Sequence, residues 1–199
     1  DATGEAEVLL HQADVLMAQG EFDKAEKVLS DVQSKAQRTQ HRAPLAYALI
    51  SRGLLAQGRG AYEEARNLYE QGRRHAETIQ SQGAQGRAQG HLADIYLIEN
   101  NSGYAARLLR EAIKLLYESG DTELLPYFQI RLADALIDLE DTSEVMTLLR
   151  AAYQQASEEK HIPYRRLTAM RLAKHAYAIG DYATTHQFYK TAFKLFKQE

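Results

Sequence analysis

The stretch "RLADALI" at residues 131–137 decides how this chain is read. Forty residues earlier stands "HLADIYL" (91–97), and forty later "RLAKHAY" (171–177). Extending the spacing in both directions gives "HQADVLM" at 11 and "SRGLLAQ" at 51. Five phrases thus recur without a gap. Such self-similarity, at a period between about 20 and 50 residues, is the mark of a solenoid. The third residue of each phrase is small: Ala13, Gly53, Ala93, Ala133 and Ala173. A small residue at a fixed site lets a neighbouring helix come close.

Apolar residues recur at i, i+3, i+4 and i+7 along nearly the whole chain, and no strand-like run of β-branched residues interrupts them. The fold class is therefore all-α. Seven residues after each small residue stands Gly20, Gly60, Asn100, Glu140 or Gly180. Glycine and asparagine tolerate the left-handed conformation that ends a helix. Further along the block come Ala25, Ala65, Ala105, Val145 or Thr185, and then Leu29, Tyr69, Leu109, Leu149 or Tyr189. Val32, Gly72, Ala112, Ala152 or Ala192 follows three residues later. Pro44, Pro126 and Pro163 fall at one phase, where the first turn of a helix tolerates a missing N–H. The pattern predicts first helices over 4–19, 44–58, 85–99, 123–139 and 163–179. Second helices are predicted over 22–39, 61–81, 103–119, 142–159 and 181–197. "GAQGRAQG" (83–90) reads as an inter-repeat loop running into a helix. It has neither the lysine of a phosphate-binding loop nor a preceding strand.

These residues resemble the tetratricopeptide repeat. That family's pattern is a leucine-glycine pair, then an aromatic, a turn glycine, an aromatic, an alanine, an aromatic and an alanine. Leu92-Ala93, Leu132-Ala133 and Leu172-Ala173 match the leucine-small pair, and Gly60, Tyr62, Ala65 and Tyr69 match the turn and second helix. Block four departs most, with Glu140 and Val145 in place of the glycine and alanine. The usual repeat is shorter than 40, so longer helices are expected here. The resemblance implies a right-handed superhelical solenoid of five antiparallel hairpins in one domain over 1–199. Its repeats span about 4–40, 44–82, 84–120, 122–160 and 162–199.

The resemblance also implies that first helices line a concave surface. The stripe expected to face it comprises Glu7, Leu10, Asp14 and Met17; Tyr47, Ile50, Leu54 and Gln57; Arg87, Gly90, Asp94 and Leu97; Tyr127, Ile130, Asp134 and Ile137; and Leu167, Met170, Lys174 and Tyr177. This stripe is more apolar than a solvated face, and exposed apolar area marks binding sites. Two readings fit it. One is a ligand groove; the other is that the longer helices turn these residues into the core, or that another segment fills the groove. Asp14, Asp94 and Asp134 each follow a cationic candidate by three residues: His11, His91 and Arg131. They read either as local i, i+3 pairs or as groups that bond a peptide backbone. Arg131, Arg171 and Lys174 gather toward the C-terminal half, where a carboxylate-bearing partner would fit. Some members of the family clamp chaperone C-termini with lysines, asparagines and an arginine. The corresponding positions here are Leu10, Asp14, Ser51, Arg87 and His91, and only Arg87 keeps the charge, so that clamp is not expected.

The net charge of −3 and sequence pI near 6.2 lack the basic excess of a nucleic-acid binder. No apolar run approaches the roughly 18 residues of a membrane span. There is no cysteine, hence no thiolate metal site. Residues 1–20 lack a signal-peptide pattern, which points to the cytoplasm. The start, "DATGEAE", reads as a cut inside a longer chain. Glu7 and His11, one turn apart, read as a surface ion pair rather than metal ligands. No catalytic residue, metal or cofactor is expected. Two functions remain: a scaffold that grips a peptide or helix in the concave groove, or the ligand-sensing domain of a bacterial signalling or transcription regulator. The last helix carries Phe188, Phe193 and Phe196 on more than one side, which suggests a homodimer contact.

Overall fold

The computed structural model describes residues 2–39 and 42–197. Ten helices account for nearly all of them: α1 (Ala2–Ala18), α2 (Phe22–Thr39), α3 (Arg42–Gly58), α4 (Tyr62–Thr78), α5 (Gln82–Ile98), α6 (Ser102–Ser119), α7 (Leu125–Asp138), α8 (Val145–Glu158), α9 (Ile162–Ala178) and α10 (Tyr182–Phe196). Among the described residues there is no strand.

Eight of the ten helices are followed by a residue of positive φ, each at a multiple of twenty: Gly20, Gly60, Gln80, Asn100, Gly120, Glu140, Lys160 and Gly180, with φ between 55 and 79°. The turns inside the hairpins were legible from glycine and asparagine. Glu140 makes the same turn as its glycine counterparts. The turns between hairpins at Gln80 and Lys160 carry no such signal, because long side chains seldom enter this region. Helix starts are built by side chains that accept a backbone N–H otherwise without an intrahelical partner. Asn101 Oδ1 accepts from Tyr104 N at 3.3 Å, and Asp181 Oδ1 accepts from Thr184 N at 3.0 Å. His161 Nδ1 caps α9 in the same way. Pro126 and Pro163 sit in the first turns of α7 and α9, as their phase predicts.

Three boundaries differ from expectation. "GAQGRAQG" is helical throughout, capped by Ser81 Oγ on Ala84 N. Gly83, Gly86 and Gly90 are buried there, so packing overrides their low helix propensity. Helix α4 ends at Thr78, and α8 begins only at Val145, after a turn at 143–144.

By its internal contacts the chain divides into two compact units, Asp1–Glu99 and Asn100–Glu199. In the first unit each helix packs on the next, and α3 also touches α1 and α5. In the second, each again packs on the next, and α7 touches α9. Among the described residues the backbones of α2 and α4, of α6 and α8, and of α8 and α10 do not come close, although side chains span the last gap, where Tyr153 of α8 meets Phe188 of α10. The first helices of each unit thus lie closer together, backbone to backbone, than its second helices do.

The small residues set the helix spacing. In the first unit a Cβ on Gly53 would lie 2.5 Å from Cε1 of Tyr69, so glycine lets α3 seat directly on that ring. Tyr69 is fully buried, and its hydroxyl donates to Gln57 Oε1 at 2.7 Å. Its ring also stacks on His91 of α5, with centroids 5.6 Å apart. One tyrosine therefore joins α3, α4 and α5. In the second unit Ala133 and Leu149 hold the same register positions and are buried.

Candidate ligand site on the first helices

The predicted stripe is partly exposed and partly core. In the first unit Tyr47, Leu54, Arg87 and Leu97 are half-buried, and Asp14 is exposed. The Arg87 guanidinium lies 5.9 Å from the centre of the Tyr47 ring, so α3 and α5 bring these two together. Ile50 is a correction: it is only 3% exposed. Its Cγ1 lies 3.0 Å from where a Cβ on Gly72 would stand, so the missing side chain at Gly72 lets Ile50 sink against α4. Asp94 is also buried, at 1% exposure, beside His91, whose Nδ1 is 3.8 Å from Asp94 Oδ2. The side chain of Glu7, the other half of the predicted pair with His11, lies outside the described residues.

The second unit assembles more of the predicted group. Ile130 is again a correction, since it is 1% exposed. The buried arc of α7 is wide, from Leu125 and Phe128 through Leu132, Ala133, Ala135 and Leu136, and it takes Ile130 in. Tyr127 is half-buried and tilts against Tyr164 of α9 at 6.4 Å. Arg131, Asp134, Arg171 and Lys174 come together between α7 and α9. Arg171 Nη2 donates to Asp134 Oδ2 at 3.1 Å, and Arg131 Nη1 donates to the same oxygen at 3.4 Å. Arg131 and Asp134 thus form the i, i+3 pair that their spacing predicts.

Beside this cluster lies a cavity of about 270 Å³, lined by Ala133, Asp134, Ile137, Asp138, Leu149, Arg171, Lys174, His175 and Ala178. Ser102 Oγ donates to Asp138 Oδ2 at 3.0 Å and holds that carboxylate at the edge. Burial pushes the Asp134 carboxyl above its ordinary value, even though Arg171 and Arg131 pull it down. Desolvation outweighs the pull of both arginines on this carboxyl. Burial also lowers the basicity of His175. The cavity therefore sets two cations, Arg171 and Lys174, and two carboxylates, Asp134 and Asp138, next to apolar walls from Ile137, Leu149 and the alanines. That combination can receive a carboxylate attached to an apolar group.

Asp138, His175 and Ser102 were not singled out in the sequence. Asp138 follows Asp134 by one turn, and His175 occupies a register that holds Leu55, Ile95 and Ala135 in other blocks. A histidine at a core register is the signal that was available. Met170 and Tyr177 are 50% and 63% exposed, and Met170 faces a second groove between α9 and α10 instead of this cavity. Phe188, predicted to face a partner, is buried edge-on to Tyr153 at 5.4 Å. Among the described residues no group of three or more His, Asp or Glu stands ready for a metal ion. None of the described helices is long and apolar enough to cross a membrane.

No family model and no curated protein matches the sequence. Solved structures do match along nearly its full length. BtubC from P. vanneervenii is similar over 99% of this chain and 82% of its own, at 16% identity and a TM-score of 0.79. A signal transduction ATPase with a tetratricopeptide repeat sensor, PH0952 from Pyrococcus horikoshii, is similar over 96% of this chain, at 16% identity and a TM-score of 0.76. This chain spans only 29% of that protein. A Rap protein complexed with competence and sporulation factor is similar over 98% of this chain and 66% of its own, at 15% identity and a TM-score of 0.65. The fold is therefore that of tetratricopeptide-like repeat proteins, an all-α array of helical hairpins.

Proposed function

We propose that the chain is a protein-interaction scaffold, a single domain over 1–199 acting in the cytoplasm, with a binding and not a catalytic role. It grips a peptide or helix along its first helices. In this reading the anchor is the cavity of the second unit, where Arg171 and Lys174 receive a carboxylate of the partner. One observation carries it. Two arginines share a single half-buried carboxylate whose charged form burial disfavours, beside a cavity that Lys174, Asp138 and His175 line together with apolar side chains. An incoming carboxylate gains charge-assisted, bidentate bonds there. Tyr127 and Ile137 supply further contact surface in the second unit, and Tyr47, Leu54, Arg87 and Leu97 offer a separate surface in the first. The Rap protein complexed with a factor supports a binding role on this fold.

The test is a library of acidic peptides, each made once with a free C-terminal carboxylate and once amidated. The expected result is retention of free-acid peptides, and loss of that retention in Arg171→Ala and Lys174→Ala proteins that remain folded by circular dichroism. Equal retention of amidated peptides, or unchanged retention by both variants, would refute the carboxylate anchor.

A second reading, a ligand-sensing domain of a bacterial signalling or transcription regulator, is supported by the size of the cavity and by the likeness to a repeat sensor. It predicts that a small carboxylic acid alone, without peptide, protects the protein against thermal unfolding and changes its solution dimensions.

A further inference from the structure

The arginine at the cavity of the second unit is already engaged from within the chain. Asp134 Oδ2 accepts from Arg171 Nη2 at 3.1 Å and from Arg131 Nη1 at 3.4 Å, so one oxygen serves both side chains. Asp134 thus meets each arginine through a single nitrogen. A carboxylate and a guanidinium frequently meet through two parallel bonds, which hold better. The Nε–H of Arg171 is buried and, among the described residues, has no acceptor. The internal pair is therefore a one-bond version of what a carboxylate free to move forms on the same group.

The position of Asp134 also leaves it able to withdraw. Its counterpart forty residues earlier, Asp94, is sealed in at 1% exposure. The Asp134 side chain keeps 21% of its surface and lines the cavity of about 270 Å³, which gives it space to turn into another rotamer without moving α7. On α7 its charged neighbours are Arg131 and Asp138; from α9 it faces Arg171 and Lys174, with His175 on the cavity wall. Helix α8 contributes Leu149 to that wall, and α6 contributes Ser102, which is bonded to Asp138. A third carboxylate brought to this group meets two already present on one helix face.

Given the carboxylate anchor of the second unit, on which this rests, we propose that Asp134 is a built-in competitor for it: a carboxylate of the chain itself that holds Arg171 in the empty site, and that lets go and takes up a proton when the partner's carboxylate binds. The charges balance. The partner's carboxylate replaces Asp134 on Arg171, Arg131 stays beside Asp134, and one proton from solvent neutralises the Asp134 carboxyl. Burial already favours that proton, and Arg171 is the strongest of the charges that oppose it. Moving Arg171 to the partner removes this opposition, so binding and protonation help each other. Affinity for a carboxylate then falls as pH rises, by at most about tenfold per pH unit for one proton.

Hexanoate, an apolar chain ending in a carboxylate, is the probe, and hexanamide is its uncharged control. Binding to the full chain is followed by amide chemical shifts from about pH 5.5 to about pH 8, corrected for the small un-ionised share of the probe. Wild type should bind hexanoate more weakly as pH rises. Asp134→Asn should bind it about tenfold more tightly at neutral pH, with the pH dependence gone. Adding Arg171→Ala to that variant should remove the gain. Asp134→Ser takes the place of Asp134→Asn if circular dichroism shows that the latter does not fold. Binding seen only in Asp134→Asn would also support the competitor. Equal binding by wild type and Asp134→Asn at every pH would overturn it and leave the carboxylate anchor standing. Weaker binding by Asp134→Asn would overturn it too, since Asp134 would then be positioning Arg171 for the ligand. So would a pH dependence that persists in Asp134→Asn, or a gain that survives Arg171→Ala. If neither protein prefers hexanoate to hexanamide, the anchor itself falls and the competitor with it.

Discussion

Gly53→Ala separates what helix propensity says from what packing says. Gly53 lies inside α3, and by propensity alone alanine there stabilises the helix by about 0.5–1 kcal/mol. The structure reverses the sign. The new Cβ would meet Cε1 and Cδ1 of Tyr69 at 2.5 and 2.6 Å, inside the closest approach of two carbons. Tyr69 has nowhere to retreat, since it is fully buried, stacked on His91 and bonded to Gln57. Overpacking of this kind costs about 1–3 kcal/mol. Displacing the ring also weakens a hydrogen bond worth about 0.5–1.5 kcal/mol. Set against the propensity gain, a net loss of about 1–2 kcal/mol is expected. The first and fourth blocks pair Ala13 with Leu29 and Ala133 with Leu149, all buried, so alanine is accommodated where the partner is leucine. The double variant Gly53→Ala, Tyr69→Leu should therefore lose less than the sum of its parts, with a coupling of about 1 kcal/mol or more. Urea unfolding followed by circular dichroism, on the wild type, both single variants and the double variant, measures all the terms. Gly103→Ala in α6, where nothing lies within 4 Å of the new methyl, is the control and should stabilise. If Gly53→Ala is as stable as the wild type, or if the two single losses simply add, the proposed fit between glycine and tyrosine is wrong.

Three further outcomes follow from the same structure. Asp134→Asn should stabilise the protein at neutral pH: burial raises the folded-state pKa of this carboxyl, so the folded form favours the proton, and stability falls as pH rises from the ordinary carboxylate value through the raised one. The gain over wild type, measured by thermal unfolding at several pH values, should vanish in acid; a gain independent of pH would refute the burial argument. Glu140→Gly should add about 0.5–1 kcal/mol in urea unfolding, because Glu140 holds a φ of 58° that glycine adopts without strain. Asn101→Ala should cost about 1 kcal/mol and fray the start of α6, seen as faster amide exchange at Tyr104, whose N–H loses its acceptor.

The periodicity of apolar and small residues determined most of the fold, because it states which face of every helix must leave water. Ala13, Gly53, Ala93, Ala133 and Ala173 marked the close approaches, and glycine and asparagine marked the turns inside hairpins. Turns at Gln80 and Lys160 were not legible, since a long side chain is forced into the left-handed region only when packing on both sides dictates where the chain must reverse. The glycine-rich start of α5 was misread for the same reason. Local propensity argues against a helix there, and burial of Gly83, Gly86 and Gly90 overrides it.

The candidate site divides along the same line. Arg131 and Asp134 were readable as a pair because helix geometry alone brings i and i+3 together. That Arg171 reaches across from α9 to share the same carboxylate oxygen depends on how two helices 37 residues apart in sequence are seated. Burial of Ile50, Asp94 and Ile130 likewise depends on the width of each helix's contact with its neighbours, which Gly72 and the broad apolar arc of α7 control. The sequence by itself determined the repeat, the helices and which residues are small or charged at each register, since these follow from local chemistry and a fixed period. Only the tertiary structure decided which of those residues remain on the surface, because exposure is a property of what packs beside a helix and not of the helix itself.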